Sequence, residues 1–237
     1  MSTKNRFPHR VAVSGLLLLG LTACASKHSA ATDPWEGYNR AMFSFNEGVD
    51  RALIKPVAKG YEWLVPMPVN TIITNFFSNI GDVCVSANNL FQGKIREAGS
   101  DLSRVVLNSS LGIGGLVDVA TDMGFDKHDE DFGQTFGHWG MGDGPYFVLP
   151  FLGASTLRDA FGQVVDWGAD PLTHVNPDKV HYPLVGVRLI DTRADLFPAE
   201  KMFEAGAIDK YTYLRDAYLQ HRRYVIYDGH PPREEEE

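Results

Sequence analysis

The sequence comes closest to a catalytic nucleophile at Ser155, which lies among small residues in GASTL, residues 153–157. A Gly-x-Ser-x-Gly turn between a strand and a helix exposes its serine for attack on an ester or amide. Here the final glycine is missing, and no strand is predicted ahead of the serine. We therefore interpret Ser155 as a helix cap. A lipid hydrolase remains an alternative, which loss of activity in Ser155→Ala would support.

An acidic stretch that contains an imidazole, HDED at residues 128–131, has the groups to bind a hard cation. It lacks the alternating ligands and central glycine of a calcium loop, and the His-Glu-x-x-His of a zinc protease. We interpret it as an exposed acidic turn. GIGG at residues 112–115 does not match the Gly-x-Gly-x-x-Gly of a nucleotide-binding loop. The sequence therefore predicts no catalytic set, no metal site and no bound cofactor.

The amino-terminal segment is typical of an export signal. Basic residues within positions 1–10 precede an apolar run at residues 11–21. This run is about half the roughly 20 residues that a membrane-spanning helix needs. A basic region, a short apolar core and small residues before a cut site form the pattern of a signal that is removed on export. We predict that residues 1–23 are a cleaved signal peptide.

The end of this signal, LTAC at residues 21–24, resembles the lipobox of bacterial lipoproteins. The resemblance implies covalent acyl chains on Cys24, followed by a tether over residues 24–32. Several chains hold a protein firmly, since each buried methylene adds about 0.8 kcal/mol of membrane affinity. Ala25 and Ser26 follow, where an aspartate would resemble the signal for inner-membrane retention. We therefore expect a lipid-anchored protein on the periplasmic face of the outer membrane.

Cysteine content and charge narrow the possibilities further. Acylation of Cys24 leaves only Cys84 of the two cysteines, so no intramolecular disulfide can form. The formal net charge is -8, and loss of the basic signal makes the mature chain more acidic still. Nucleic acid is a poor partner for such a chain.

Two apolar helical faces dominate the start of the mature chain. DPWE at residues 33–36 is typical of a capped helix start, and apolar residues recur from there to residue 53 at steps of three and four. Pro56 and PMP at residues 66–68 are predicted to break the chain into short pieces. Residues 69–80 have helical spacing with a wide apolar face, which suits either a deep core or a bilayer boundary.

Two glycine clusters, within residues 112–115 and 137–144, bracket the middle of the chain. Glycines in such clusters either turn corners or act as hinges. A short helix over residues 116–123 and a solvated turn over 126–131 are expected between them, so the whole segment is a candidate helical hairpin.

The remaining sequence favours an all-α or nearly all-α domain over residues 33–227. Strand-like alternation is scarce, and the tail at residues 228–237 is predicted to be acidic and disordered. Further helices are predicted at residues 100–110, 155–168, 183–195 and 209–226.

Three phrases resemble the VacJ/MlaA family of outer-membrane lipoproteins, which remove misplaced phospholipid from the outer leaflet. They are DPWEGYNRAMFSFN at residues 33–46, LNSSLGIGGLVDVA at 107–120 and FGQTFGHWGMGDGPYFVLPFLGASTLRD at 132–159. The resemblance implies a ring-like bundle of amphipathic helices, embedded in one membrane leaflet around a central polar channel. It also implies a trimeric porin beside the ring, a periplasmic carrier that receives the lipid, and maintenance of outer-membrane lipid asymmetry.

If this chain follows the family, its apolar helical faces contact acyl chains. The segment between the two glycine clusters would then act as a gate. The candidate membrane-facing residues are then Trp35, Tyr38, Met42, Phe45, Ile72, Ile73, Phe76 and Phe77. The candidate gate hinges are Gly112, Gly114, Gly115, Gly140 and Gly142. Asn39 and Asn46 either face the channel or cap a turn, and Arg158 and Asp159 are expected to pair. The alternative function is a passive structural envelope lipoprotein that binds a porin or stabilises the membrane.

Overall fold

The computed structural model describes residues 33–206 and 208–232. The predicted signal peptide, the whole tether (residues 24–32) with Cys24, and residues 233–237 of the tail lie outside the described residues. The elements along the chain are α1 (Glu36–Val49), a π-helical segment (Asp50–Ile54), α2 (Lys55–Leu64), α3 (Met67–Phe91), α4 (Ile95–Ser110), α5 (Val119–Asp122), α6 (Phe132–His138), β1 (Tyr146–Leu149), β2 (Gly153–Thr156), α7 (Leu157–Ala169), a 3-10 helix (Pro171–His174), α8 (Asp178–Asp195), α9 (Phe197–Gly206) and α10 (Lys210–Ile226).

Residues 36–64 form one uninterrupted helical run, in which the π-helical segment joins α1 to α2. The break predicted at Pro56 is wrong. This proline lies in the first turn of α2, directly after the π-helical segment, where the α-helical hydrogen-bond ladder is already interrupted and a missing N–H is tolerated. Val65 and Pro66 have extended backbone and separate α2 from α3, as predicted.

The helices α3 and α4 form an antiparallel pair joined by a tight turn. Both are longer than predicted. Their ends were predicted from the spacing of apolar residues, and the polar side chains that line their contact do not show in that spacing. Asn89, for example, donates from Nδ2 to Oδ2 of the buried Asp101 over 2.8 Å. Polar groups thus join these two neighbouring helices where a soluble bundle would use apolar ones.

A small antiparallel hairpin interrupts the helices. Strands β1 and β2 pair with Tyr146 opposite Thr156 and Leu149 opposite Gly153. No strand was predicted here, because each strand has only four residues and a short apolar run is equally compatible with irregular chain. The nearly all-α fold class is nevertheless confirmed.

Apolar packing in the interior is limited to small clusters. One joins Ala58 of α2 to Ala194 and Phe197 at the junction of α8 and α9. Another joins Tyr146 and Val148 of β1 to Tyr211 of α10. Within the described residues, no helix combines the length and the apolar character that crossing a bilayer requires.

Candidate functional site

The surface carries many large apolar side chains. Trp63 is 83% exposed, Met67 79% and Ile113 72%. Further exposed apolar residues on the helices and the hairpin turn include Phe45, Leu53, Leu102, Val106, Phe151, Phe161 and Val164. Contiguous apolar surface beyond a few hundred Å² marks contact with a membrane or a partner.

Buried positions are occupied mainly by polar groups. Among the described residues, buried polar and charged side chains outnumber buried apolar ones. Arg104 has the largest fully buried side chain, and Asn88, Asn89 and Asp101 are as deeply buried. Charged side chains are almost never fully buried in soluble domains unless they are paired. This distribution, with apolar side chains exposed and polar ones buried, is the reverse of that in a soluble protein.

The predicted membrane-facing residues divide into exposed and packed groups. Trp35, Tyr38, Phe45 and Ile72 are exposed, while Met42, Ile73 and Phe76 are partly buried. Met42 packs against the cluster around Tyr146. Phe77 is only 6% exposed and corrects the prediction. It points inward because it lies on the same side of α3 as the buried Asn88, about three turns on.

Two asparagines of α1 hold the hairpin through its backbone. Oδ1 of Asn39 accepts a hydrogen bond from the N–H of Val148 over 2.8 Å. Two turns further on, Asn46 accepts from the N–H of Phe151 over 2.7 Å and donates to the carbonyl of Leu149 over 2.8 Å. Of the two roles left open for these asparagines, the structure therefore shows contact with strand and turn backbone.

A buried ion network holds the segment between the glycine clusters against α3 and α4. Arg104 donates from Nη2 to Asp118 and from Nη1 to the carbonyl of Phe125, each over 2.8 Å. Its Nε lies 3.4 Å from Asp82, whose other oxygen contacts Lys127. The segment is therefore anchored at three points.

The HDED stretch, interpreted as an exposed acidic turn, is partly buried, and that interpretation is wrong. Nδ1 of His128 lies 3.0 Å from Oδ1 of Asp101. Glu130 is buried and accepts from Gln92 over 2.7 Å and from Lys94 over 2.8 Å. The turn between α3 and α4 supplies these donors. No three His, Cys, Asp or Glu residues are grouped to hold a metal ion within residues 33–206 and 208–232.

A second ionic cluster joins α7 to α10. Arg222 donates from Nη2 to Asp131 over 2.9 Å and to Asp159 over 3.0 Å. The predicted pairing of Arg158 with Asp159 is confirmed, with Nη2 and Oδ1 2.8 Å apart. Burial, with the nearby charge of Asp131, raises the pKa of Asp166 to about 6.

An opening on one side of β2, here called the apolar cleft, has a volume of about 530 Å³. Its apolar walls include Phe43, Val148, Leu196, Phe203 and Leu214. One edge is ionic: Arg193 donates to both oxygens of Asp50 over 2.8 Å, and Lys210 lies 3.3 Å from Glu47. Arg193, Asp50 and Glu47 were not singled out as site residues from sequence, because the Arg193–Asp50 pair joins positions far apart in the chain.

The opening on the other side of β2, here called the polar groove, measures about 340 Å³. It is lined by the ionic cluster of Asp131, Asp159 and Arg222, and by Asp166. Ala154 lines both openings. Strand β2 is therefore the wall between an apolar space and a polar one.

The predicted hinge glycines are of two kinds. A Cβ at Gly112 would lie 2.1 Å from a carbonyl oxygen, and Gly115 would press on a side chain of α3, so these two permit close packing. Gly114 (φ 72°) and Gly140 (φ 88°) have left-handed backbone with open space around them, and Gly142 has open space as well. Gating by these residues remains a prediction.

Ser155 is not a helix cap as predicted. It lies in β2, and its buried hydroxyl donates to the carbonyl of Thr156 over 3.1 Å. Thr156 is the cap instead, since its Oγ1 accepts from the N–H of Asp159 over 3.2 Å. No hydrogen bond joins Ser155 to a histidine in the described part of the chain.

Known proteins are similar to this chain in sequence and in fold. The family model described as MlaA lipoprotein matches residues 31–225. The intermembrane phospholipid transport system lipoprotein MlaA of Escherichia coli (strain K12) is 34% identical over 226 residues, which cover 92% of this chain and 88% of that protein. The protein of the same name from Haemophilus influenzae is 31% identical, with 90% and 89% covered.

A solved structure also matches this chain. It is described as the structural basis for maintenance of bacterial outer membrane lipid asymmetry, and it matches with a TM-score of 0.72 and 34% identity, covering 82% of this chain and 99% of its own. Sequence and fold therefore agree that this chain belongs to the MlaA lipoprotein family.

Proposed function

We propose that this protein removes mislocalised phospholipid from the outer leaflet of the outer membrane and passes it to a periplasmic carrier, so that lipid asymmetry is maintained. The observation that carries the proposal is the reversed burial, with apolar side chains such as Trp63 outside and charged ones such as Arg104 inside. A headgroup crosses hydrocarbon only at a cost of several kcal/mol or more. A polar interior wrapped in apolar helices lowers that cost.

The two openings beside β2 suggest how such a lipid is held. The apolar cleft suits acyl chains, and the polar groove on the far side of Ala154 suits a hydrated headgroup. In this proposal the protein sits in one leaflet, anchored by acyl chains on Cys24, with a trimeric porin beside it. In this proposal it performs no covalent chemistry.

The direct experiment compares surface-exposed phospholipid in cells that lack the gene with cells complemented by it. We expect exposure to rise on deletion and to return to the normal level with the wild-type gene. A Cys24→Ala variant, which cannot be acylated, is expected not to complement. The passive structural alternative predicts unchanged phospholipid exposure with weakened porin association, and that result would reject lipid removal.

A further inference from the structure

Another opening, here called the lysine pocket, lies between α2 and α9 and has a volume of about 390 Å³. Three lysines, two glutamates and one aromatic ring line it: Lys55, Lys59, Glu62, Phe197, Glu200 and Lys201. It shares only Glu200 with the apolar cleft and no residue with the polar groove. The lysine pocket is therefore a separate candidate binding site.

One of the three lysines is neutralised within the fold. Nζ of Lys55 donates to Oε1 of Glu200 over 2.7 Å. The other carboxylate oxygen of Glu200 accepts from Arg193 over 2.9 Å, and Arg193 also donates to Asp50 over 2.8 Å. These two cations and two carboxylates balance, so together they add no net charge to the pocket.

The other two lysines keep their positive charge. Lys59 and Lys201 are exposed and make no hydrogen bond or ion pair within residues 33–206 and 208–232. Glu62, the remaining acid of the lining, is also exposed and unpaired in that part of the chain. If Glu62 paired with one lysine, the other lysine would still lack a counterion. The described lining is therefore positive by one charge, which attracts an anionic group.

Highly exposed apolar side chains adjoin both unpaired lysines. Trp63 follows Lys59 by one turn of α2 and is 83% exposed, and Met202 follows Lys201 directly on α9 and is 79% exposed. Residues four apart lie on one face of a helix. A lysine beside side chains that contact acyl chains extends its ammonium group to the membrane–water boundary, where the lipid phosphates lie. The pocket therefore combines cationic groups for a lipid headgroup with an apolar border for an acyl chain.

We propose that the lysine pocket binds the phosphate group of a phospholipid from the surrounding leaflet, with the ammonium groups of Lys59 and Lys201 on the phosphate oxygens. An acyl chain of this lipid then lies along Trp63 and Met202. Hydrogen bonds between charged groups such as these are stronger than neutral ones. The inference goes beyond the proposed function, because a lipid held here stays in the bilayer and fixes the depth of the protein. It shares with that function only the position of the protein in one leaflet.

The experiment uses the full, lipidated protein in a nonionic detergent with photoreactive lipids. Phosphatidylglycerol and diacylglycerol carry the same diazirine-labelled acyl chains, and mass spectrometry maps their crosslinks. We expect phosphatidylglycerol to crosslink to the peptides that contain Trp63 and Met202 in clear excess over diacylglycerol. Lys59→Gln and Lys201→Gln should each lower the phosphatidylglycerol yield there about fivefold, because each removes one cation from the phosphate. Both variants should leave the diacylglycerol yield unchanged.

The chain offers a matched control for the two lysines. Arg96 and Lys179 are also exposed and make no hydrogen bond or ion pair in the described part of the chain. Neither residue lines the lysine pocket. The double variant Arg96→Gln/Lys179→Gln removes the same charge as Lys59→Gln/Lys201→Gln, and we expect it to crosslink as the wild type does.

Equal crosslinking of the two lipids at these peptides, or an equal loss in the two double variants, would overturn this inference. Displacement of phosphatidylglycerol by inorganic phosphate, but not by chloride at the same ionic strength, would show a free-phosphate site and would overturn it as well. Failure here is distinguishable from failure of the proposed function. Deletion of the gene would still expose surface phospholipid if only this inference were wrong, and would leave it unchanged if lipid removal were wrong.

Discussion

Asn39 and Val148 are joined by a hydrogen bond of 2.8 Å from the backbone N–H of the strand to the side-chain oxygen of the helix, 109 positions away in sequence. The side-chain amide of Asn39 also donates, from Nδ2, to the carbonyl of Tyr146 over 3.2 Å. The side chain of Asn39 therefore pairs with backbone groups on the free edge of β1, as the backbone of a neighbouring strand would. The hairpin that separates the apolar cleft from the polar groove depends on this contact.

Replacing Asn39 by alanine is expected to lower the free energy of unfolding by about 1 to 3 kcal/mol, because the buried N–H of Val148 loses its acceptor. Chemical denaturation in detergent measures the change. Asn70→Ala is the control, since Asn70 makes only an exposed hydrogen bond to Asp195. Equal stability of the two variants would show that the hairpin is held in another way.

Arg104→Met is expected to destabilise the protein by about 3 kcal/mol, because the carboxylates of Asp82 and Asp118 both lose their arginine partner, while Asp82 keeps its contact with Lys127. Limited proteolysis should then cut first within residues 112–131, which the arginine anchors. The matched control is Arg51→Met: the Arg51 side chain is 72% exposed, and its ion pair with Glu47 is worth less than about 1 kcal/mol. Protease resistance equal to that of the wild type would argue against the anchor.

The amphipathic faces were predictable from sequence, and their orientation was not. The spacing of Trp35, Tyr38 and Phe45 predicts one apolar helical side, but periodicity does not say whether that side meets lipid or a core. Phe77 shows the limit, since it belongs to the same apolar run as Ile72 and yet is buried. Only the tertiary packing of the helix decides between the two.

The polar interior depends on pairs that sequence reasoning could not join. Arg193 and Asp50 are 143 positions apart, and Arg222 and Asp131 are 91 apart. Neither pair has a local motif, and each side chain alone is typical of a solvated surface. The hairpin was missed because four-residue strands are too short for alternation to stand out.

The proposed gate gives a comparison between two glycines. Gly140→Val is expected to impair phospholipid removal while membrane attachment is preserved, because valine at φ 88° costs about 1 to 3 kcal/mol and shifts the local backbone. Gly93→Val is the control, since Gly93 also has left-handed backbone (φ 80°) with open space around it but is not one of the candidate hinges. The test measures surface-exposed phospholipid in deletion cells complemented with each variant. Wild-type clearance by the Gly140 variant would reject the hinge.

Asp166 predicts a pH dependence of stability. Burial raises the pKa of this carboxyl to about 6 in the fold, above its value of about 3.9 in an unfolded chain. Between these values the folded state binds the proton and the unfolded state does not, so stability increases as pH falls from about 6 to about 4. Asp166→Asn should remove this part of the pH profile.

Thermal unfolding between pH 4 and pH 7 tests this prediction. The wild type should gain stability relative to Asp166→Asn as the pH falls, whereas Asp178→Asn, which alters an exposed carboxylate, should follow the wild type. Parallel profiles for the wild type and Asp166→Asn would contradict it.

The reversed burial is tested most directly by spin labels on single cysteines in the reconstituted, lipidated protein, in a Cys84→Ser background. We predict that labels at Trp63, Val106 and Phe161 collide more with lipid-soluble oxygen than with an aqueous nickel chelate, and that a label at the exposed Lys179 does the opposite. Greater access for the nickel chelate at all three apolar positions would mean that these side chains face water, and would contradict the account.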